Sequence, residues 1–243
     1  MCKNVLVTGS SRGIGKSIAK KFLLNDFNVV INANKSIDEL NLTLKEFENI
    51  SKNVMAINAD VSDYNQCLFM FDEIQKKIGD IDILINNAGI SYIGLFNQMQ
   101  LQQWKRILDV NLNSVINCSH IAIQSMIKKH TGIIINISSV WGNAGASCET
   151  IYSAAKGAVN LFTKSLAKEL APSNIRVNAI ACGVIDTQMN NELTMQEKID
   201  LAAQIPIGYF GKPNDVADLA FFLANHSSKY ISGQIINLDG AWL

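Results

Sequence analysis

The stretch "NVLVTGSSRGIGKSIAKKFLLND", residues 4–26, runs from a short apolar segment through a glycine-rich turn into a helical pattern. Val5, Leu6 and Val7 are apolar on consecutive positions, as a strand covered on both faces requires. Glycines at the turn, Gly9, Gly13 and Gly15, let the backbone approach a ligand and take positive φ without a Cβ penalty. The helix that follows offers unpaired amides and the positive end of its dipole, which suits a diphosphate. The spacing is not the G-x-G-x-x-G of the commonest dinucleotide fingerprint. A tight turn with close helix packing accounts for the glycines as well at this point.

The same alternation continues along the chain. Further strand candidates are 28–33, 53–59, 81–87, 132–138, 175–181 and 234–239, after a first at 4–8, with helical stretches between them. In "DYNQCLFMFDEIQKKIG" the residues Cys67, Met70, Phe71, Ile74 and Ile78 fall on one stripe. Seven strands separated by helices predict an α/β fold, a doubly wound parallel sheet with right-handed crossovers. No linker, repeat or low-complexity segment interrupts residues 1–243, which read as one domain, and Pro172, Pro206 and Pro213 all fall at expected helix ends. Such sheets bind ligands outside the carboxyl ends of the strands, where the strand order reverses.

Bulk properties narrow the function. The 243 residues are 48% hydrophobic and 17% charged, with a formal net charge of zero, which leaves no footprint for nucleic acid or an anionic membrane. No apolar run approaches the ~20 residues of a membrane helix, and the start reads directly into a strand without a signal-peptide pattern. Five scattered cysteines with no C-x-x-C pair read as reduced thiols of a cytoplasmic protein, and no metal site is expected.

A dinucleotide site selective for NAD places an acid at the end of the second strand, about 20 residues after the glycines. Here that place holds Ala33, Asn34 and Lys35, while Asp38 and Glu39 fit the first turn of the next helix. The missing acid, with Arg12 and Lys35 nearby, favours a 2′-phosphate and hence NADP(H). Lys35 also reads as an ordinary solvated side chain.

Farther along, "ETIYSAAKGAV" (149–159) sets Tyr152 and Lys156 four positions apart among small residues. Residues so spaced share a helix face, and a bare surface pair is the plain reading. Its weight comes from company. "TGSSRGIG", "NNAG" (86–89), Asn111 in "DVNLNSV", Ser139 in "ISSV", and Tyr152 with Lys156, in this order, resemble the short-chain dehydrogenases/reductases over essentially the whole chain. The nearest likeness is to 3-oxoacyl-acyl-carrier-protein reductases. The loops "ISYIGLF" and "SSVWGNAGASCE" resemble those of elongation factor P 5-aminopentanone reductases, which act on a ketone carried by a modified lysine.

The resemblance implies a Rossmann-type seven-stranded sheet and NADPH-dependent reduction of a ketone, in most cases a 3-oxoacyl thioester. Tyr152 would be the proton donor, Lys156 would lower its pKa and hold the ribose, Ser139 would bind the carbonyl oxygen, and Asn111 would hold a water leading to solvent. The cofactor would lie on Gly9, Ser11, Arg12, Gly13, Ile14 and Gly15, with Asn34 and Lys35 at the 2′-phosphate. Asp60 and Val61 would meet the adenine, Asn87, Ala88 and Gly89 the adenosine ribose, and Ile185 and Thr187 the nicotinamide amide and diphosphate. Asp60 also reads as a strand-ending polar residue, with Ser62 as the next N-cap. Acyl carrier protein is a possible partner, and the family is usually tetrameric, in keeping with apolar residues on more than one face of the helices around Asn111 and Tyr152.

Two departures stand out. Cys182 replaces the usual proline after the sixth strand, freeing one φ and bringing a thiol to the site, and Ala241 replaces a usual glycine in the tail. The segment 188–212 is expected to act as a lid. The competing reading from another class is a nucleotide-binding protein that keeps the fold without catalysis.

Overall fold

The computed structural model describes residues 2–188 and 193–243. Strands β1 (Asn4–Val7), β2 (Asn28–Ala33), β3 (Val54–Asn58), β4 (Ile83–Asn86), β5 (Gly132–Ser139), β6 (Ile175–Cys182) and β7 (Ile235–Leu238) form one sheet. Its order is β3-β2-β1-β4-β5-β6-β7, and every pairing is parallel. This is the doubly wound Rossmann-type arrangement expected from the sequence, with edge positions of the strands shifted by a residue or two. The order reverses between β1 and β4, so that the loops leaving these strands diverge and open a crevice.

Helices α1 (Gly13–Leu23), α2 (Ile37–Glu48), α3 (Tyr64–Ile78), α4 (Leu101–Leu108), α5 (Ser114–Lys129), α6 (Trp141–Ala144), α7 (Thr150–Leu170), α8 (Met195–Ala203) and α9 (Pro213–Ala224) cover the sheet. Side chains of a strand alternate between faces, and the core divides accordingly. Val5, Val7, Val29 and Ile31 pack with Ile18, Phe22, Phe47 and Val216 on one side. Leu6, Val30, Leu84 and Ile134 pack with Met70, Ile74, Met126 and Leu166 on the other. Consecutive apolar residues in the strands are thus explained by two greasy layers, one on each face.

Local chemistry sets the helix boundaries. Asp63, not Ser62, caps α3, its carboxylate accepting from the Asn65 and Gln66 amides. Pro213 opens α9, where a missing N–H costs nothing. The helical run around Asn111 is broken by one wider, π-type turn at Asp109–Asn113. Of the expected lid, residues 189–192 lie outside the described residues; the remainder holds α8, capped reciprocally by Thr194 and Glu197 and burying none of its residues.

Ala241 has φ 66°, in the left-handed region where a Cβ is disfavoured. The replacement of glycine in the tail therefore strains the backbone. Ala241→Gly should raise stability by up to about 1 kcal/mol, since relief of ~1–2 kcal/mol of left-handed strain outweighs glycine's larger entropy loss. A melting temperature unchanged or lowered in the variant would show that the turn carries no such strain.

Candidate active site

The β1–α1 turn and the loop after β4 are stitched together. The Thr8 hydroxyl accepts from the Asn87 and Ala88 amides at 3.0 and 3.1 Å, and Asn87 Nδ2 donates to the Thr8 and Gly9 carbonyls at 3.0 and 2.9 Å. A Cβ on Gly9 would lie 2.8 Å from the Ala88 Cα, and one on Gly15 would lie 2.5 Å from the Gly9 carbonyl oxygen. No substituent fits at either place. α1 begins with no side-chain cap and no acid in its first turn, so its positive end faces the crevice unneutralised. Across from it, Thr187 lies against Gly13, and Ile185 is buried beside it, bridged to Gly211. The arrangement can hold an extended anionic ligand.

At the end of β2, Lys35 is exposed and Asn34 half-buried, with the Asn58 amide donating to the Asn34 carbonyl. Arg12 is committed to Glu39, with Nη1 at 3.0 and 2.9 Å from its two carboxylate oxygens. The sequence reading left Arg12 as a free cation; a first-turn acid of α2 reaches it in the free protein. Asp60 pairs with Arg106 at 3.0 Å and accepts from the Ser62 hydroxyl at 2.6 Å. Burial alone would raise its pKa, but the Ser62 and Arg106 contacts hold the carboxyl below the usual range. Val61 is buried beside it, its carbonyl accepting from the Asn117 amide at 3.2 Å.

Four residues converge near Gly89, just past β4. The Asn111 amide donates to the Ile90 and Ile107 carbonyls at 2.8 and 3.0 Å, and its oxygen accepts from the Ile90 amide at 3.2 Å. A Cβ on Gly89 would lie 2.9 Å from that oxygen and 3.8 Å from Lys156 Nζ. Lys156 is buried and donates to the Ile137 carbonyl of β5 at 2.8 Å, with its ammonium 5.7 Å from the Tyr152 ring centre. Ser139 ends β5, and its hydroxyl hydrogen-bonds with the Tyr152 phenol.

The electrostatics differ from expectation in one respect. Burial pushes the Tyr152 phenol above its ordinary pKa, against the Ser139 hydrogen bond and with a further upward push from the nearby Glu149 charge. Burial lowers Lys156 to about 8, with the nearby Cys182 group opposing. The Cys182 thiol is pushed up to about 12 by burial, although Lys156 acts downward, so it stays protonated at neutral pH and is a poor nucleophile.

Sequence reasoning missed a buried polar chain that sets α7 against the sheet. Asn86 donates to Asn136 at 2.9 Å and to Ser119 at 3.1 Å, and Asn136 donates to Thr163 at 2.8 Å. The Ser138 hydroxyl donates to Asn160 at 2.6 Å. The signal was available as single asparagines within the isoleucine-rich runs "ILIN" and "GIIINIS". Glu149, which reads in sequence only as a helix start, is half-buried and accepts from the Ser91 hydroxyl at 3.0 Å.

Comparison with known proteins decides the family. The profile described as short chain dehydrogenase matches residues 3–198. This chain belongs to the short-chain dehydrogenase/reductase family. It is an NAD(P)-dependent oxidoreductase acting on CH–OH or ketone groups. The 3-oxoacyl-[acyl-carrier-protein] reductase FabG of Staphylococcus aureus is 39% identical over 240 residues, 99% of this chain and 98% of that protein. The uncharacterized oxidoreductase YmfI of Bacillus subtilis is 37% identical over 244 residues, 100% of this chain and 99% of its own length. Among solved structures, a gluconate dehydrogenase candidate from Agrobacterium tumefaciens superposes with a TM-score of 0.94 at 31% identity, covering 99% of this chain and 95% of that one.

The lysine gives a pH test of the site. With a pKa near 10.5 unfolded and about 8 folded, Lys156 carries a penalty that is full below pH 8 and is removed as pH rises to about 10.5. Unfolding free energy of the wild type relative to Lys156→Met should therefore increase across that window. Tyr152 and Cys182 both have folded pKa values raised above their ordinary ones, so each lowers the stability of both proteins at high pH; Tyr152 cancels from the difference, and Cys182, which Lys156 holds down, cancels only in part and adds to the rise at the upper end of the window. A flat difference would place the ammonium in solvent rather than under the phenol.

Proposed function

We propose that the protein is an NADPH-dependent reductase that converts a 3-oxoacyl thioester to its 3-hydroxy counterpart. The observation that supports this most strongly is the convergence of Ser139, Tyr152, Lys156 and Asn111 beside the glycine cradle, all at the carboxyl ends of β4 and β5. A dinucleotide bound here would supply the hydride. The unneutralised end of α1 and the turn Gly9, Ser11, Arg12, Gly13, Ile14 and Gly15 would receive its diphosphate, with Thr187 and Ile185 on the opposite wall. Asn87, Ala88 and Gly89 would flank the adenosine ribose, and Asp60 and Val61 the adenine.

Ser139 donates to the substrate carbonyl oxygen and fixes it beside the phenol of Tyr152. Tyr152 gives its proton to that oxygen as the C–H bond forms. Burial keeps the phenol protonated but makes it a weaker acid, so positive charge from Lys156 and the oxidised nicotinamide would have to lower its pKa for the proton to leave. Lys156 then returns a proton to Tyr152, drawn from solvent through a water that Asn111 would hold. NADP is favoured because no acid closes the end of β2, and Arg12 needs only to exchange Glu39 for a phosphate to face the ribose.

A second reading, reduction of a ketone on a modified lysine as by elongation factor P 5-aminopentanone reductases, draws on the two loops that meet over the cleft. The Gly94 amide donates to the Cys148 carbonyl at 2.9 Å, joining "ISYIGLF" to "SSVWGNAGASCE". For assembly we favour a homotetramer, because Leu161 on α7 is 67% exposed and Ile116 on α5 is 38% exposed. Among the described residues no helix is long and apolar enough to cross a membrane.

NADPH oxidation followed at 340 nm with acetoacetyl-CoA, and NADH in parallel, tests the reading directly: turnover preferring NADPH is expected. Absence of turnover alongside measurable NADPH binding would leave the protein-borne ketone, tested with modified elongation factor, or a non-catalytic nucleotide binder. Tyr152→Phe should lower kcat at least about a thousandfold, with NADPH affinity changed less than about threefold. Retained turnover would remove Tyr152 from the proton-donor role.

A further inference from the structure

Ser139 has a second partner besides the Tyr152 phenol. The Trp141 main-chain amide donates to its hydroxyl oxygen at 3.2 Å. With one lone pair so occupied, the Ser139 proton is left to point toward the phenol and the place of a substrate carbonyl. Hydrogen bonds in such a chain polarise one another, so the amide makes the serine a better donor. The bond alone is that of an ordinary serine turn. Its consequence depends on how Trp141 is held, because Trp141 opens α6, a four-residue helix that buries none of its residues.

Side supports replace the missing burial. A Cβ on Gly142 would lie 2.7 Å from the main-chain carbonyl carbon of Lys156, so α6 rests directly on α7. Asn143 accepts from Asn160 of α7 at 2.8 Å and donates to Asn237 of β7 at 3.0 Å. The Trp141 ring is held from two sides. The Glu149 carboxylate accepts from its side chain, and Trp242 packs edge-on against it with ring centres 5.0 Å apart. Trp242 lies in the segment after β7, which is folded back and tied down. There Asp239 accepts from the Ala241 and Leu243 amides at 3.0 and 3.3 Å, and Asn237 donates to the Leu243 carbonyl at 3.3 Å. Gly240 and Ala241 make the bend, both with φ 66°.

We propose that Trp242 is a positioning residue for Ser139: through the Trp141 ring it sets the Trp141 amide that aims the serine hydroxyl at the reacting carbonyl. The inference rests on the ketone-reductase reading and deepens it by naming a further residue on which that chemistry depends. Loss of the Trp242 ring leaves the Trp141 ring braced by Glu149 alone and free to turn about that contact. The amide of Trp141 then loses its fixed direction, and the Ser139 proton with it. Catalysis tolerates little such motion, since misplacing a reacting group by about 1 Å can cost about a hundredfold in rate. The glycine turn that would receive the cofactor lies on other elements, β1 and α1, and is untouched by the change.

The test is a double-mutant cycle on the intact protein, with NADPH oxidation by acetoacetyl-CoA as the readout and NADPH affinity measured separately by calorimetry. Trp242→Ala should lower kcat about tenfold and leave NADPH affinity within about twofold of the wild type. Trp242→Phe, which keeps an aromatic edge against Trp141, should retain at least about a third of the wild-type kcat. In a Ser139→Ala background, Trp242→Ala should cost less than about twofold more, because the hydroxyl it positions is gone. A general loss of packing or of folded protein would instead multiply the Ser139→Ala loss in full. Full multiplication, or an unchanged kcat in Trp242→Ala, overturns the positioning role while the reductase stands. Failure of the wild type to reduce any ketone overturns the reductase reading and this inference together.

Discussion

Everything at the site depends on how closely β1 is allowed to approach the loop after β4. Gly9 lies so near Ala88 that a single methyl group would collide with its backbone, and Thr8 and Asn87 bond across the same junction. That contact fixes the glycine turn relative to Gly89, and Gly89 in turn is where Asn111 and Lys156 come together. The glycine turn and the Asn111–Lys156 cluster are therefore held in register through main chain at the point where the strand order reverses. A looser junction would keep the sheet and lose the site.

A second constraint is electrostatic. The fold buries a lysine, a phenol and a thiol within reach of one another, and burial disfavours the charged form of each. At neutral pH the fold thus holds an uncharged phenol and thiol beside a lysine that is still mostly protonated, with no phenolate to pair with it. The Ile137 carbonyl satisfies Lys156 in the meantime. Positive charge from an oxidised nicotinamide would act on the phenol in the opposite sense to burial, which makes the acidity of Tyr152 a property of the complex.

The fold was legible because its signal is repeated: two-sided strands such as Val5-Leu6-Val7 and single-sided helices such as α3 recur from end to end. Tyr152, Lys156, Ser139 and Asn111 were legible through order and company, although the pair at 152 and 156 alone says little. What sequence could not show was pairing across the fold. Arg12 with Glu39 and Asp60 with Arg106 join residues 27 and 46 positions apart, and no local pattern marks them. The same holds for Glu149, whose carboxylate accepts from Ser91 on another loop, 58 positions away. The strain at Ala241 was hidden for another reason, since a missing glycine reveals nothing until the φ angle it would have served is known.

The wider turn at Asp109–Asn113 bears on how this helix could change over generations. A π-type turn holds one residue more than a regular one, and it behaves as a single-residue insertion within the helix. Deleting any one of its residues would restore an unbroken α-helix, a local gain in regularity. Because the wider turn absorbs its extra residue locally, α4 and α5 would keep nearly the same phase, and the change would fall on the turn itself. Asn111 lies inside that turn, so its bonds to the Ile90 and Ile107 carbonyls are the contacts that would have to be redrawn. The irregularity is thus a local insertion confined to the five residues that include Asn111, and the helix on either side is indifferent to it.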